Sequence, residues 1–457
     1  MKDTADPDPV LASRPTMIRH LVLAALCAIT TINYIQRNSF GGVATTVRAD
    51  LHLSRDDSGD VMGAFFLTYA LCQVPSGWLA QRWGGRRALT IYAAGWSITM
   101  AFTAAASNLP ALLAARGAMG ALQAGIFPCC TMILVSWYPA TRRGFTSALL
   151  NSFMLIGGAL ASWLTAKLIG PLGWRWLFLL YALPGVAWAA GFAVWFRNRP
   201  QEHPGVNPAE LAIISADSEK SSTIQQREAE IDALAQQVMK PSVPWLAISL
   251  SSALWLICIQ QFCRSGALRF FDMWLPTYLQ EARGQSIDAA NYLTSLPMLA
   301  GVIGGPLGGI ISDFVLARTG SRRAARQGVA IGSVVVGLGI YTLAYQVSDV
   351  RGAVLLACLG LFIFTFSSPC GYALTMDMSG PNLGVIFGIM NMAGNLGSWA
   401  FTTFIPRVVS WRGYWSDGLL VFAGMHVVAI VCWLLLNPNG QIGDRASSVS
   451  GRERTRR

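Results

Sequence analysis

A chain of 457 residues that is 53% hydrophobic and only 12% charged lacks the polar surface for a water-soluble fold, since soluble domains carry about a quarter charged residues. A net charge of +11 does not make it a nucleic-acid binder either, because its Lys and Arg are scattered over short loops instead of one face. With a mean hydropathy of +0.45, the bilayer is its natural solvent.

In chain order, a polar, Pro-rich tail (1–17) comes first. No short apolar run with a small-residue cleavage site follows it, so insertion is expected through an uncleaved first helix. Apolar stretches of about 20 residues, each long enough to cross about 30 Å of hydrocarbon, then recur to the end. They predict helices over 18–45, 58–82, 86–106, 109–137, 142–169 and 174–196. Six more are predicted over 245–280, 288–317, 324–347, 352–376, 381–408 and 414–437. Between them, 197–244 reads as a cytoplasmic linker holding Pro200, Pro204 and Pro208, and 438–457 is a basic tail. The fold class is thus an all-α membrane protein: twelve transmembrane helices in two pseudo-symmetric six-helix bundles, 18–196 and 245–437. With the N-terminus inside, about twenty-two Lys and Arg fall on the inner side and about eight outside, which predicts cytoplasmic termini. A bacterial inner membrane is the expected location.

The nine cysteines all fall in apolar segments without metal-ligand spacing and read as packing residues. The two halves repeat one another. Gly77-Trp-Leu-Ala-Gln-Arg82 with Gly84-Gly-Arg-Arg87 follows the second helix; Gly309-Ile-Ile-Ser-Asp313 with Arg318 and Gly320-Ser-Arg-Arg323 follows the eighth. Gly144 to Asn151 matches Gly384 to Asn391, and Pro128-Cys129 matches Pro369-Cys370. Repeats flanking a central site are the means by which many secondary transporters achieve alternating access.

At Gly77 to Arg87 the sequence resembles the major facilitator superfamily, with Gln81 where that family's loop motif has Asp. More narrowly it resembles the anion:cation symporters, which include bacterial hexuronate and galactonate carriers, sialin and the vesicular glutamate carriers. The supporting segments are Ile32-Asn-Tyr-Ile-Gln-Arg37, Arg116 with Gln123-Ala-Gly-x-Phe-Pro128, Asn198-Arg-Pro-Gln-Glu-His-Pro204, and Phe262-Cys-Arg264 through Trp274-Leu-Pro-Thr-Tyr-Leu279. The resemblance runs from about residue 18 to 437. It implies a carrier of small organic anions, with Arg82, Arg86 and Arg87 in the gating motif.

Four arginines lie inside predicted spans: Arg37, Arg116, Arg264 and Arg269. A cation near the bilayer centre costs from about 2.5 kcal/mol upward, so it normally faces a cavity and a partner. At 1.5 Å per residue, Arg37 and Arg116 lie roughly 10–12 Å below the outer surface and Arg269 about 16 Å, with Arg264 deeper. The acid at comparable depth is Asp272, three residues after Arg269 and on the same helical face. If that pair neutralises itself, up to three positive charges remain for an anionic substrate, which guanidinium binds through a planar fork. Bonds to backbone carbonyls, or snorkelling to the interface, are the structural alternative. By the resemblance, Arg37, Arg116 and Arg264 match arginine positions of the vesicular glutamate carriers; Arg269 and Asp272 do not.

Gln36 and Gln123 stand where relatives have acids, and Met62 where the glutamate carriers have His. None of these titrates near neutral pH. Either Asp272 or Asp377 then couples transport to a proton, or the carrier is a uniporter, an exchanger or sodium-driven. Tyr34, Tyr69, Asn151 and Asn391 are candidates to bond substrate hydroxyls, or to bond between helices, and Gln123 is also a candidate substrate-binding residue. Asp313, with Arg322 nearby, is a candidate latch on the inner side of the second half. His426 reads as packing or interfacial.

The expected partners are a small anion, lipid and a coupling proton or sodium ion; no cofactor, metal or nucleic acid is expected, and the protein is expected to be monomeric. Competing readings are transport of inorganic or sulfonated anions, or a sensor that binds without translocating. An enzyme is disfavoured, since no nucleophile–base pair or His-rich site falls in the spans.

Overall fold

The computed structural model describes residues 14–215, 245–379 and 383–442, apart from some side chains. The expected segments 1–13, 216–244 and 443–457 lie outside the described residues.

The first half holds α1 (Ile18–Leu51), α2 (Arg55–Ala105), α3 (Leu109–Gln123), α4 (Ile126–Trp137) and α5 (Ala140–Trp195), then the short α6 (Pro208–Ser215). The second begins with α7 (Trp245–Ser249) and α8 (Ser252–Arg269), which passes through a π-helical turn (Phe270–Trp274) into α9 (Leu275–Glu281). It continues with α10 (Ile287–Thr319), a second π-helical turn (Arg323–Gly328), α11 (Val329–Gln346), α12 (Val350–Phe364), α13 (Ser367–Ser379), α14 (Leu383–Arg412) and α15 (Trp415–Leu435).

Eight helical stretches are by themselves long and apolar enough to cross a membrane. Two of them, in α2 and α5, are each broken into two crossings where Gly84 (φ 77°) and Gly173 (φ 68°) adopt left-handed backbone. With α8–α9 and α14, twelve crossings result among the described residues. The predicted loops after the second and fifth helices are therefore tight glycine bends. On the side away from the chain termini, helices start with side-chain caps. Ser54 and Asp57 close a reciprocal box at α2, and Asn108, Ser286 and Asp349 cap α3, α10 and α12.

The sequence repeat is also a repeat in space. A Cβ on Gly77 would stand 3.7 Å from the Pro128 ring, and one on Gly309 would stand 3.6 Å from Pro369. Each half thus packs the glycine of its motif against its Pro-Cys pair, α2 on α4 and α10 on α13. Such close approach of small residues is how helices associate in lipid without a hydrophobic driving force.

The halves meet where α2 packs on α14 and α5 on α10. The hydrogen bonds and ion pairs joining them, among the described residues, gather on the side away from the termini. Both carboxylate oxygens of Asp60 accept from Arg407 at 2.9 Å. Glu281 accepts from Arg48 at 2.8 Å and from Arg55 at 2.7 Å. Asp56 accepts from Ser410, Gln280 from Thr45, and the Gly42 carbonyl from Asn291.

Residues 198–215, expected as linker, fold onto the first half. Asn198 accepts from the Arg86 amide at 2.8 Å, beside the Gly84 bend. The Glu210 carboxylate, fully buried, accepts from the amides of Ile18 (3.3 Å) and Arg19 (3.0 Å) and from the Thr16 hydroxyl. It caps α1 from another segment, where an anion also meets the positive end of the helix dipole.

Candidate functional site

Arg37, midway along α1, is 6% exposed. Its guanidinium carbon lies 4.8 Å from the centre of the Phe66 ring, 4.9 Å from Phe65, 5.3 Å from Tyr69 and 5.3 Å from Tyr34. Three of these rings come from successive faces of α2 and the fourth from one turn earlier on α1. Cation–π attraction of about 0.5–2 kcal/mol per ring offsets part of the cost of burying the charge. Among the described residues no carboxylate pairs with Arg37, and its guanidinium donates no hydrogen bond to the protein. Its Nε is buried without a partner.

Arg116 stands behind this cage. It is fully buried, donating to the Arg37 carbonyl at 3.1 Å and to the Met119 sulfur at 3.2 Å. Its guanidinium carbon is 5.3 Å from each of the Phe40 and Phe65 rings. Of the two readings open to Arg116 from its sequence, the one seen here is the bond to a backbone carbonyl, that of Arg37 on α1. Phe65 lies between Arg116 and Arg37. Phe66 in turn lies between Arg37 and Arg269 of the other half, whose guanidinium carbon is 5.3 Å from that ring.

Arg269 ends α8, and Asp272 sits in the π-helical turn that follows. The two form the expected pair, buried, with Asp272 only 3% exposed. One Asp272 oxygen, Oδ1, and Arg269 Nε are buried without a partner. A Cβ on Gly41 would come within 2.7 Å of the Asp272 carbonyl, so α1 presses backbone-to-backbone on this turn. Arg264, deeper in α8, is held by neutral groups: Gln261 Oε1 at 2.9 Å, the Tyr372 hydroxyl at 3.3 Å, and Ser368 Oγ. It too has no acid partner among the described residues. Arg269 lies within electrostatic reach of both Arg37 and Arg264, as does Tyr69 of Arg37 and Tyr372.

The remaining expected residues separate. Tyr34 and Tyr69 belong to the cage. Asn151 on α5 is exposed, and half-buried Asn391 on α14 accepts from Asn395 through its backbone. Gln36 donates to the Tyr181 carbonyl at 2.6 Å and to Ser97 at 3.3 Å, tying α1 to α5 and α2. Met62 is buried, and Gln123 is buried with both amide atoms unpartnered. Asp377, a coupling candidate by sequence, does not join Arg37. It lies 3.9 Å from Arg326 on the terminus side, where Arg326 also donates to Asp313 at 2.8 Å and Ser312 at 2.7 Å. Arg326 thus holds Asp313, while Arg322, expected there, is exposed. In the first half Arg86 donates to the Ala193 carbonyl, Arg82 lies over Trp78, and Arg87 is exposed.

Sequence reasoning missed the Phe65–Phe66 wedge, the Tyr372–Ser368 seat of Arg264, and Arg326. The adjacent aromatics in α2 carried a signal; the others depended on which helix faces meet. His426 is a packing residue, its Nδ1 2.7 Å from the Phe422 carbonyl and its ring among Phe422, Phe364 and Tyr341.

A twelve-crossing bundle of repeated halves with buried cations near their seam is the architecture of a polytopic membrane transporter. The chain belongs to the Major Facilitator Superfamily, whose family model matches residues 26–402. Among its relatives, a probable galactarate/D-glucarate transporter of Bacillus subtilis is 30% identical over 95% of both chains. A probable sulfoacetate transporter of Cupriavidus necator is 27% identical over 92% of this chain and 94% of that one. In fold the chain is similar to a bacterial homologue of the lysosomal transporter Spinster in an inward-facing, occupied conformation, with a TM-score of 0.70 at 16% identity. That match covers 92% of this chain and 96% of the other. It is also similar to a D-xylose–proton symporter, with a TM-score of 0.68 at 15% identity over 94% of this chain and 99% of that one.

Proposed function

We propose that this protein carries small organic anions, sugar acids or related carboxylates, by alternating access. The observation that carries the reading is Arg37: a buried guanidinium in an aromatic cage, at the seam of the halves, with no carboxylate in ion-pair contact among the described residues. A carboxylate supplies the missing charge and accepts the unused donors, and a neutral sugar does not. Arg264, bonded to neutral oxygens, extends the positive field into the second half. Tyr34 and Tyr69 are placed to bond hydroxyls, with Asn151 and Asn391 lining the route.

The halves 18–196 and 245–437 act as the two rocking bodies. Cross-half bonding gathered on the side away from the termini supports a state open toward the termini, which the Lys and Arg distribution assigns to the cytoplasm. The protein acts as a monomer in a bacterial inner membrane. A second reading, transport of sulfonates, has its own support in the sulfoacetate relative, and guanidinium accepts both groups.

The test is counterflow in proteoliposomes with labelled galactarate, glucarate, galactonate, sulfoacetate and glucose. Uptake of an acid without uptake of glucose is expected. Binding of an acid without uptake makes the protein a sensor, and uptake of glucose alone overturns the reading.

A further inference from the structure

The region around Arg37 holds one buried carboxylate among the described residues, that of Asp272, and it is contributed by the opposite half. Among the described residues the Arg269 side chain is the side-chain donor to it, its own backbone amide being the other group in reach, and Oδ1 is buried without a partner. The Arg37 and Arg269 guanidinium carbons lie 4.8 and 5.3 Å from the centre of the same Phe66 ring, so an anion seated on Arg37 lies close to the guanidinium that now neutralises Asp272. Asp272 also sits in a π-helical turn, a distortion often found at functional sites. Gly41 of α1 touches the backbone of that turn, so any rocking of the halves moves the pair relative to Arg37.

We propose that Asp272 is the proton site of this carrier and that Arg269 is exchanged between Asp272 and the transported anion. The inference rests on the anion-carrier reading above. When the anion binds Arg37, Arg269 transfers its hydrogen bonds from the Asp272 carboxylate to the anion. The carboxylate, buried and without its guanidinium, then takes one proton from a hydronium ion in the cavity, whose O–H bond breaks to leave water. An O–H bond forms on Asp272, no covalent bond of the protein breaks, and one positive charge enters with each anion. Leaving the carboxylate charged instead costs several kcal/mol, the penalty of an unpaired buried ion. On release the proton leaves and the pair re-forms.

The charged groups facing Asp272 are Arg269 on its own helix and Arg37 on α1. Behind the turn, Tyr341 of α11 and His426 of α15 pack beyond Phe271, and Tyr278 of α9 lies beyond Phe270. Gln36, Met62 and Gln123 cannot take the proton, and Asp377 is engaged with Arg326.

The test uses the purified full-length protein in weakly buffered detergent, with galactarate, glucarate and sulfoacetate added in turn at pH 7. Uptake of about one proton per bound anion is expected, with affinity rising up to about tenfold per pH unit lowered. In proteoliposomes an inward proton gradient is expected to speed uptake at least about fivefold in the wild type and about onefold in Asp272→Asn. Binding without proton uptake, gradient-driven uptake surviving in Asp272→Asn, or dependence on a sodium gradient instead each overturns the assignment. The proton count on the wild type stands even if Asp272→Asn does not fold. If none of the three anions binds, it is the carrier reading that fails, and this inference with it.

Discussion

The two halves of this molecule share a fold and a repeat, yet they handle buried charge in opposite ways. In the first half, Arg37 and Arg116 have no acid partner among the described residues; aromatic rings, a backbone carbonyl and a thioether surround them. In the second, Arg269 is paired with Asp272 and Arg264 is seated on neutral oxygens. A cation without an ion-pair partner among the described residues is free to hold an anion at any stage of the cycle. A paired cation can change partners. On the proposed function, the difference gives binding to the first half and switching to the second.

The strongest way to break this division is to remove the fixed cation. Arg37→Gln is expected to lower kcat/KM for the transported acid by about a hundredfold or more, the range for truncating one partner of a buried charge pair. Arg37→Lys keeps the charge but loses the planar fork and its stacking, and should recover only part of that loss. Counterflow rates of the two variants against wild type decide it. Equal uptake by Arg37→Gln would move the site elsewhere.

Arg116 sharpens the contrast, because stability and activity should part. It is fully buried with no anion beside it, so its desolvation is not repaid by an ion pair. Arg116→Met should raise the thermal stability of the purified protein, by about 1 kcal/mol or more, while transport falls about tenfold as α1 loses its rear support. A melting scan beside a counterflow assay reads both. A fall in both would show Arg116 to be structural cement.

How far the site was legible follows from what each residue depends on. Depth along a helix is set by spacing alone, so the burial of four arginines, and the Arg269–Asp272 pair three residues apart, could be read directly. Which way a helix faces is set by its neighbours. Arg116 points behind α1 and Asp377 toward Arg326, and neither follows from the periodicity of apolar helices. Arg326, inside the π-helical turn at Arg323–Gly328, bonds Asp313 where Arg322 was expected, because which side chain reaches Asp313 depends on how that turn sits against α10. The fold was legible in its twelve spans. The Pro-rich stretch after the sixth span reads as linker, yet residues 198–215 pack on the first half because Asn198 and Glu210 supply bonds that the Gly84 bend and the start of α1 lack.

That docked segment supplies the next test. Glu210→Ala removes a buried acceptor of two amides and a hydroxyl at the start of the helix that carries Arg37. A loss of about 1–2 kcal/mol is expected, as for other caps. Denaturant unfolding of purified protein measures it. The KM should stay near wild type, since the cap lies far along α1 from the site; a large rise in KM would mean that the cap also sets the position of Arg37.

The smallest expected effect concerns the contacts that hold the halves together away from the termini. Asp60 accepts twice from Arg407, but both side chains are about a third exposed. Such pairs contribute at most about 1 kcal/mol and are screened by salt. Asp60→Asn should therefore shift the balance between closed and open states on that side by no more than about fivefold. A cysteine placed at Thr403, which packs against Gly63 of α2 in the closed state, reports the shift through its labelling rate. High salt should mimic the substitution in the wild type and add little in the variant. If Asp60→Asn instead opens that side almost completely, one partly exposed ion pair holds the closed state. The division of labour between the halves would then have to include the seam as a third active element, with its own charge to be neutralised on each cycle.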